Sequence, residues 1–300
     1  MERTVFARDG RRLRILTLGP RGATPVFFLH GTPGSRLGPH PMPMRLHHLG
    51  IRLIAYDRPG YGGSDRLPGR FVRHAAEDVE DIADALGLGR FGVVGRSGGG
   101  PHALACAALL ADRVVRTAAL VCLAPFRSEG LDWYEGMTDS NVREYLVAEK
   151  GVSLLAPIIE ATAEEIRGDP NLMLRNLGPE LEQADWRVVA DNTIRSGFKR
   201  AMAEAVRTSG GGWVDDARSF TQDWGFDPAD IPGQVYLWHG EQDHFSPVGH
   251  TRWLAGRIPG ATLEIARHAA HFSAMEVLVD ILRWIDGDGD PSKPAEPSAA

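Results

Sequence analysis

The sequence predicts an α/β fold in which helices cover both faces of a mostly parallel sheet and a helical segment interrupts the alternation. Short apolar runs, typical of strands buried on both faces, alternate with helical patterns up to about residue 125 and again after about residue 230. Between these parts, roughly a hundred residues contain amphipathic stretches and no strand-like run. A glycine-flanked serine at a strand-to-helix turn is the third observation.

Repeated strand–helix–strand units predict the parallel sheet, because a crossover helix returns the chain to the same end of the sheet. The predicted strands are 11–18 (one arm of a hairpin after an Asp9-Gly10 turn), 25–29, 51–56, 91–94, 117–123, 234–238 and 261–266. The predicted helices outside the insertion are 73–86, 101–110 and 273–285.

We expect a core formed by residues 1–126 and 231–286 and a helical cap formed by residues 127–230. The cap contains amphipathic stretches around 142–148, 152–160, 171–177, 180–190 and 196–206. The tail, 287–300, is rich in Pro, Gly and charge, and we predict that it is disordered.

Composition narrows the possible partners. A net charge of −6 without a basic cluster argues against nucleic acid and anionic membranes. No apolar run approaches the ~20 residues of a membrane span, and no secretory signal is visible. Cys106 and Cys122 lie in apolar segments and are predicted to be buried thiols, so we expect a cytoplasmic protein. We expect no metal or organic cofactor, a small-molecule substrate, and either a monomer or a homodimer.

The segment Gly95-Arg96-Ser97-Gly98-Gly99 follows an apolar strand and precedes a helix, which is the arrangement of a nucleophile elbow. A serine needs a base, and the base needs an orienting carboxylate. In parallel sheets such groups lie in loops after strands. Asp243 is the candidate acid, with Glu241 as a weaker rival, and His271 is favoured over His268 as the base.

The backbone N–H groups of Thr32 and Gly98 are the candidate oxyanion donors, because Thr32 follows the second apolar strand and Gly98 follows the serine. His30, Arg96 and His102 are candidates for lining the substrate pocket.

Five motifs in order resemble the α/β-hydrolase superfamily, in particular its capped branch of esterases, epoxide hydrolases, haloalkane dehalogenases and proline iminopeptidases. They are His30-Gly31-Thr32-Pro33-Gly34, the segment 57–65, the elbow, Trp238-His239-Gly240 with Asp243, and His271-Phe272. The resemblance implies eight strands, a cap after the sixth, and a structural role for the 57–65 loop, with Asp57 tied to backbone and Arg58.

Two departures from the family pattern bear on function. Ser97 stands where epoxide hydrolases and dehalogenases have Asp, which favours an acyl-serine route. Ala269 replaces the usual Gly two residues before the histidine. We therefore expect a serine hydrolase of ester-like bonds in which cap side chains such as Trp186 and Phe198 select the substrate. Carbon–carbon bond cleavage or cyclisation on the same scaffold, and a non-catalytic small-molecule receptor, are the alternatives.

Overall fold

Eight strands form one sheet in the computed structural model, which describes residues 1–287. The strands are β1 (Glu2–Phe6), β2 (Arg12–Leu18), β3 (Thr24–Leu29), β4 (Ile51–Tyr56), β5 (Phe91–Arg96), β6 (Val114–Leu120), β7 (Val235–Gly240) and β8 (Ala261–Ala266). They lie in the order β1-β2-β4-β3-β5-β6-β7-β8. The β1–β2 and β2–β4 pairs are antiparallel and the other five pairs are parallel, so the predicted fold class is confirmed.

The continuous apolar runs of the central strands reflect helices on both faces of the sheet. Successive side chains of a strand point to opposite faces. Phe27 accordingly packs with helices α2 (His74–Leu86) and α3 (Gly99–Leu109), whereas Phe28 packs with α1 (Pro43–His48) and α11 (Leu278–Asp286). Both phenylalanines are buried, so β3 lies at the centre of the molecule.

The segment between β6 and β7, which the structure describes in full, contains helices, turns and loops but no strand. The helices are α4 (Asp139–Lys150), α5 (Val152–Gly168), α6 (Leu172–Leu177), α7 (Gln183–Ala190), α8 (Asn192–Ala205) and α9 (Gly211–Phe220). Five correspond to the predicted amphipathic stretches, but α9 was not predicted, because two glycines at its start weaken the helical pattern. A side chain at Gly212 would meet the Tyr61 ring at 2.6 Å, so close packing requires glycine there.

Several predicted boundaries differ from the structure. Strand β6 ends at Leu120 and not at residue 123, because Val121 adopts a positive φ of 47°. The predicted helix 273–285 is in fact a 3₁₀ turn, Phe272–Met275, followed by α11. Helices α1 and α10 (Val248–Arg257) were not predicted from the sequence. The predicted hairpin turn at Gly10 is present, with a φ of 85°.

Cys106 and Cys122 are buried free thiols, as predicted. Within residues 1–287, the helices are all too short or too polar to cross a bilayer. The predicted disordered tail lies outside the described residues from position 288 onward. The cap boundaries at 127 and 230 stay a prediction.

Candidate active site

Ser97 occupies the tight turn between β5 and α3. Its φ of 54° lies in the left-handed region, which residues other than glycine rarely adopt. The tight turn imposes this backbone conformation on Ser97. A Cβ at Gly95 would lie 2.1 Å from the carbonyl oxygen of Gly99, and one at Gly99 would lie 2.1 Å from that of Leu29. The two glycines therefore permit the strand, the turn and the helix to approach closely enough to form the elbow.

Asp243 and His271 form a buried pair in the loops after β7 and β8. His271 Nδ1 lies 2.8 Å from Asp243 Oδ2, and Asp243 Oδ1 accepts the N–H groups of Phe245 and Ser246 at 2.8 and 3.0 Å. Burial alone would raise the pKa of Asp243, but the charge of His271 and hydrogen bonds from His239 and His271 hold it well below its usual value. The carboxylate is therefore charged and able to orient the imidazole, and His271 lines the same cavity as Ser97.

The rival residues face elsewhere. Glu241 is part of an exposed ion pair with Arg252 at 3.8 Å, and His268 is exposed at the surface. The only polar contact of His268 among the described residues is its backbone carbonyl, which accepts a hydrogen bond from Arg187 at 3.2 Å. The geometry therefore joins Asp243 to His271 and leaves Glu241 and His268 apart.

His239 lies beneath the pair and was given no role by the sequence analysis. Its Nε2 donates to the carbonyl oxygen of Ser246 at 2.6 Å and lies 3.3 Å from Asp243 Oδ2. Its Nδ1 lies 2.6 Å from Thr251 Oγ1. The imidazole thus fixes the loop that carries Asp243, and its position four residues before Asp243 was the available sequence signal.

Thr32 and Gly98 meet beside Ser97 on the cavity wall. A Cβ at Gly98 would lie 2.2 Å from Thr32 Oγ1, so the two loops are in direct contact. Among residues 1–287, no acceptor is bonded to the backbone N–H of either residue. Both N–H groups are therefore available to a ligand at the turn where the helix dipole of α3 begins.

The Thr32 side chain is held by Asp216, a fully buried residue of α9. Asp216 accepts hydrogen bonds from Thr32 Oγ1 at 2.6 Å and from Tyr61 Oη at 2.8 Å. The Nη2 atoms of Arg58 and Arg70 lie 2.5 and 2.6 Å from the carboxylate oxygens of Asp216. Burial opposes the charge of Asp216, but the two arginines hold its pKa far below the usual value. We call Asp216, Arg58, Arg70, Tyr61, Thr32 and His102 the Asp216 cluster.

His30 and His102 do not line the cavity, which corrects the prediction of a pocket role for them. His102 Nδ1 donates to the Gly98 carbonyl at 2.7 Å, and its Nε2 lies 3.6 Å from Asp216. His30 accepts the Arg58 N–H at 3.2 Å. Burial first, and then the nearby Arg58 charge, lowers the pKa of His102 to about 3 and that of His30 well below its usual value. Both rings are neutral supports of the elbow and the Thr32 loop.

The 57–65 loop supports the site from below. Asp57 accepts the backbone N–H groups of Arg36 at 2.8 Å and Gly63 at 3.0 Å. Its ionic partner is Arg36, whereas Arg58 binds the carbonyls of His30 and Gly31 as well as Asp216. Arg36 was not considered in the sequence analysis because it lies outside the five motifs.

The cavity above Ser97 is small, about 80 Å³. Its walls come from the elbow, the Thr32 loop, the His271 loop and the helical segment: Gly31, Thr32, Pro33, Arg96, Ser97, Gly98, Asn141, Glu144, Tyr145, Met173, Leu177, Phe198, Trp213, Phe245, Ser246, His271 and Phe272. Phe198 is among them, as expected, but Trp186 is not: it is 47% exposed on the outer surface. Its place on α7 turns it toward solvent, so we correct the expected substrate-selecting role of Trp186.

Glu144 is a polar wall residue that the sequence gave no reason to select. Its Oε1 accepts the indole N–H of Trp213 at 2.9 Å. Burial raises the pKa of Glu144 to about 7, with the Trp213 hydrogen bond opposing that shift. Among residues 1–287, no group of three or more His, Cys, Asp or Glu side chains is arranged to hold a metal ion.

Comparisons with known proteins agree with this architecture. A family model described as the alpha/beta hydrolase fold matches residues 24–277. A 2-hydroxymuconate semialdehyde hydrolase from Pseudomonas putida is 28% identical over 263 residues, which cover 84% of this chain and 82% of that protein. A non-heme chloroperoxidase from Streptomyces lividans is 36% identical over 124 residues, 41% of this chain and 45% of that protein.

Two solved structures show the same fold over nearly the whole chain. An esterase from Exiguobacterium antarcticum has a TM-score of 0.70 at 21% identity and covers 96% of this chain and 100% of that one. An enol-lactonase from Burkholderia xenovorans LB400 has a TM-score of 0.67 at 20% identity, covering 95% and 98%.

Proposed function

Because this chain belongs to the alpha/beta hydrolase family, we propose that it is a serine hydrolase that cleaves ester-like bonds through an acyl-Ser97 intermediate. The observation that carries the proposal is the His271–Asp243 pair, at 2.8 Å, whose histidine lines the same cavity as Ser97. The relatives named as an esterase and an enol-lactonase support the choice of bond.

In the proposed reaction, Ser97 Oγ attacks the carbonyl carbon of the substrate while His271 Nε2 removes the hydroxyl proton. Asp243 accepts the Nδ1–H hydrogen bond, which presents Nε2 as the base and stabilises the imidazolium. The N–H groups of Thr32 and Gly98 bind the oxygen that becomes negative. His271 then gives the proton to the leaving alcohol, and water, deprotonated by His271, releases the acid from Ser97.

Ser97→Ala tests the proposal directly. Loss of the triad serine lowers kcat by about 10⁶-fold in a well-studied serine hydrolase, and we expect a loss of several orders of magnitude for p-nitrophenyl acetate. A fluorophosphonate should label wild-type Ser97, identified by mass spectrometry of the peptide, and should not label the variant. A variant that retains a tenth of the wild-type rate would show that another group attacks the ester.

His271→Ala and His268→Ala form a matched pair in the same loop. His271→Ala should approach the defect of Ser97→Ala, because the serine then has no base. His268→Ala should stay within about threefold of wild type, since its side chain is exposed and outside the cavity. Equal losses in the two variants would remove His271 from the proposed mechanism.

A second candidate function is hydrolysis of a semialdehyde, favoured by the relative from Pseudomonas putida that aligns over most of both chains. Turnover of 2-hydroxymuconate semialdehyde, measured beside p-nitrophenyl acetate with the same preparation, separates the two. A kcat/KM ratio above one hundred in favour of the semialdehyde would replace the ester assignment.

A further inference from the structure

Arg96 is a buried cation that lacks a counter-ion in the cavity wall. The residue is 9% exposed, and its Nη1 atom has no hydrogen-bond partner among the described residues. No carboxylate in residues 1–287 forms an ion pair with it; the acidic groups that influence it electrostatically, Asp243 and Asp185, are bound to His271 and to the Phe272 N–H. A buried charge without a counter-ion is strongly unfavourable, so an anionic ligand that pairs with Arg96 would be stabilised at this position.

The guanidinium lies close to the reacting atoms. It belongs to the residue before Ser97, and a Cβ on Gly31 of the Thr32 loop would lie 3.3 Å from its Nη2. Its carbon stands 5.9 Å from the centre of the Phe272 ring, next to His271. Burial lowers the pKa of Arg96 to about 10, which still leaves the group charged at neutral pH.

We propose that Arg96 binds a carboxylate on the acyl part of the substrate, so that the enzyme selects short half-esters of dicarboxylic acids. A planar guanidinium matches a carboxylate with two parallel hydrogen bonds. Because Arg96 lies against Gly31 in the loop that would bind the carbonyl oxygen, we assign the carboxylate to the acyl part of the ester. The small cavity, about 80 Å³, favours a short acyl chain. This inference rests on the proposed serine-hydrolase function.

The first test uses the wild-type enzyme with two esters of the same shape. Monoethyl succinate carries a carboxylate, and ethyl succinamate carries a neutral amide in its place. We expect kcat/KM to be at least tenfold higher for monoethyl succinate, mainly through a lower KM, because charge-assisted hydrogen bonds are about twice as strong as neutral ones. A ratio near one would overturn the proposal.

A second pair of esters locates the carboxylate. Acetoxyacetate carries its charge on the alcohol part, and ethyl acetate is its neutral counterpart. A ratio near one for this second pair supports the acyl-side assignment. A preference for acetoxyacetate that equals or exceeds that for monoethyl succinate would contradict it.

Arg96→Met should reduce the succinate-to-succinamate ratio to one or below, and Arg96→Lys should keep part of the preference. Arg143→Met is the matched control, because it removes an equal charge from an exposed position on α4, the helix that carries Asn141 and Glu144. The control should keep the wild-type ratio. An unchanged ratio in Arg96→Met, or an equal fall in Arg143→Met, would overturn the proposal.

A wild-type measurement covers the case in which Arg96→Met does not fold. Succinate should inhibit p-nitrophenyl acetate hydrolysis competitively with a Ki at least tenfold below that of succinamide, and equal Ki values would contradict the carboxylate site.

Failure of the proposed function is distinguishable from failure of this inference. If the fluorophosphonate labels Ser97 and neutral esters are hydrolysed without any preference for a carboxylate, only the inference fails. If no ester is hydrolysed, the change in the protein's tryptophan fluorescence, to which Trp213 on the cavity wall contributes, reports binding. Tighter binding of succinate than of succinamide would then support the anion site, and equal binding would reject it.

Discussion

The Asp216 cluster and the cavity wall are adjacent regions that treat buried charge in opposite ways. In the cluster, Asp216 is shared by Arg58 and Arg70, so each buried charge has a partner within 2.6 Å. On the cavity wall, Arg96 has no ion pair among the described residues, and Glu144 has one hydrogen bond from an indole. Thr32 belongs to both regions, since its side chain binds Asp216 and its loop lines the cavity.

This difference distinguishes residues that stabilise the folded structure from residues that would bind the substrate. A buried ion whose hydrogen bonds are complete rigidifies the groups around it, and removal of one partner is strongly destabilising. A buried ion without a partner destabilises the free protein and is useful only when a ligand completes it. The first description fits Asp216 under the Thr32 loop, and the second fits Arg96, which faces the substrate space.

Asp216→Asn should have the largest effect on stability. The amide would leave Arg58 and Arg70 without a counter-ion, so we expect the free energy of unfolding to fall by about 3–5 kcal/mol in urea denaturation. Asp215→Asn is the control on the same helix, because Asp215 pairs with the more exposed Arg66 at 2.7 Å. It should lose roughly 1 kcal/mol. Similar losses in both variants would mean that the cluster has no special weight.

Arg58→Met should lower the free energy of unfolding, whereas Arg96→Met should leave it constant or raise it. Arg58→Met removes the contacts to Asp216 and to the His30 and Gly31 carbonyls, and we expect a loss of about 2–4 kcal/mol. Arg96→Met removes a buried charge without an ion pair, so stability should stay constant or rise by up to about 1 kcal/mol. Thermal and urea denaturation of both variants measure this. A large loss in Arg96→Met would show that Arg96 also supports the fold.

Glu144→Gln should change the free energy of unfolding by less than Asp216→Asn or Arg58→Met, and by an amount that depends on pH. The folded-state pKa of about 7 lies above the ordinary value of 4.5, so the folded protein holds this proton more tightly than the unfolded chain. Stability contributed by the protonated carboxyl is therefore lost as pH rises from about 4.5 through 7. Relative to wild type, the variant should gain about 2–3 kcal/mol of unfolding free energy between pH 5 and pH 8.

The comparison of variant with wild type cancels other buried carboxyls such as Asp57 and Asp78, whose pKa values are also raised by burial to about 6. If the stability difference between variant and wild type did not change with pH, the pKa of Glu144 would not be raised in the folded protein.

The sequence indicated the parts of the site that depend on local chain geometry. Ser97, Asp243 and His271 follow strands at turns whose glycines and loop positions are visible in a few consecutive residues. The Asp216 cluster was invisible because Asp216 lies in α9, over a hundred residues from the elbow, and reaches it only when the helical segment folds back. Glu144 and Trp213 were missed for the same reason, since their meeting at 2.9 Å joins two separate helices.

The sequence also could not rank the candidate pocket residues. His30, Arg96 and His102 all lie beside the motifs, but only Arg96 faces the cavity. Neighbouring residues of a turn can point above or below it, and side-chain direction depends on backbone angles that composition does not encode.

The bond from Thr32 to Asp216 bears on exchange of caps between related proteins. Such grafts treat the insertion as a replaceable module, cut at the two strands that flank it. In this chain, helix α9 also stabilises the candidate active site. Its Asp216 accepts a hydrogen bond from Thr32 and so fixes the loop that carries a candidate oxyanion donor. A chimera that imports a foreign α9 would lose that fixation even if its new pocket fitted the substrate. The usable exchange points lie at the start of α4 and the end of α8, with α9 retained from this chain.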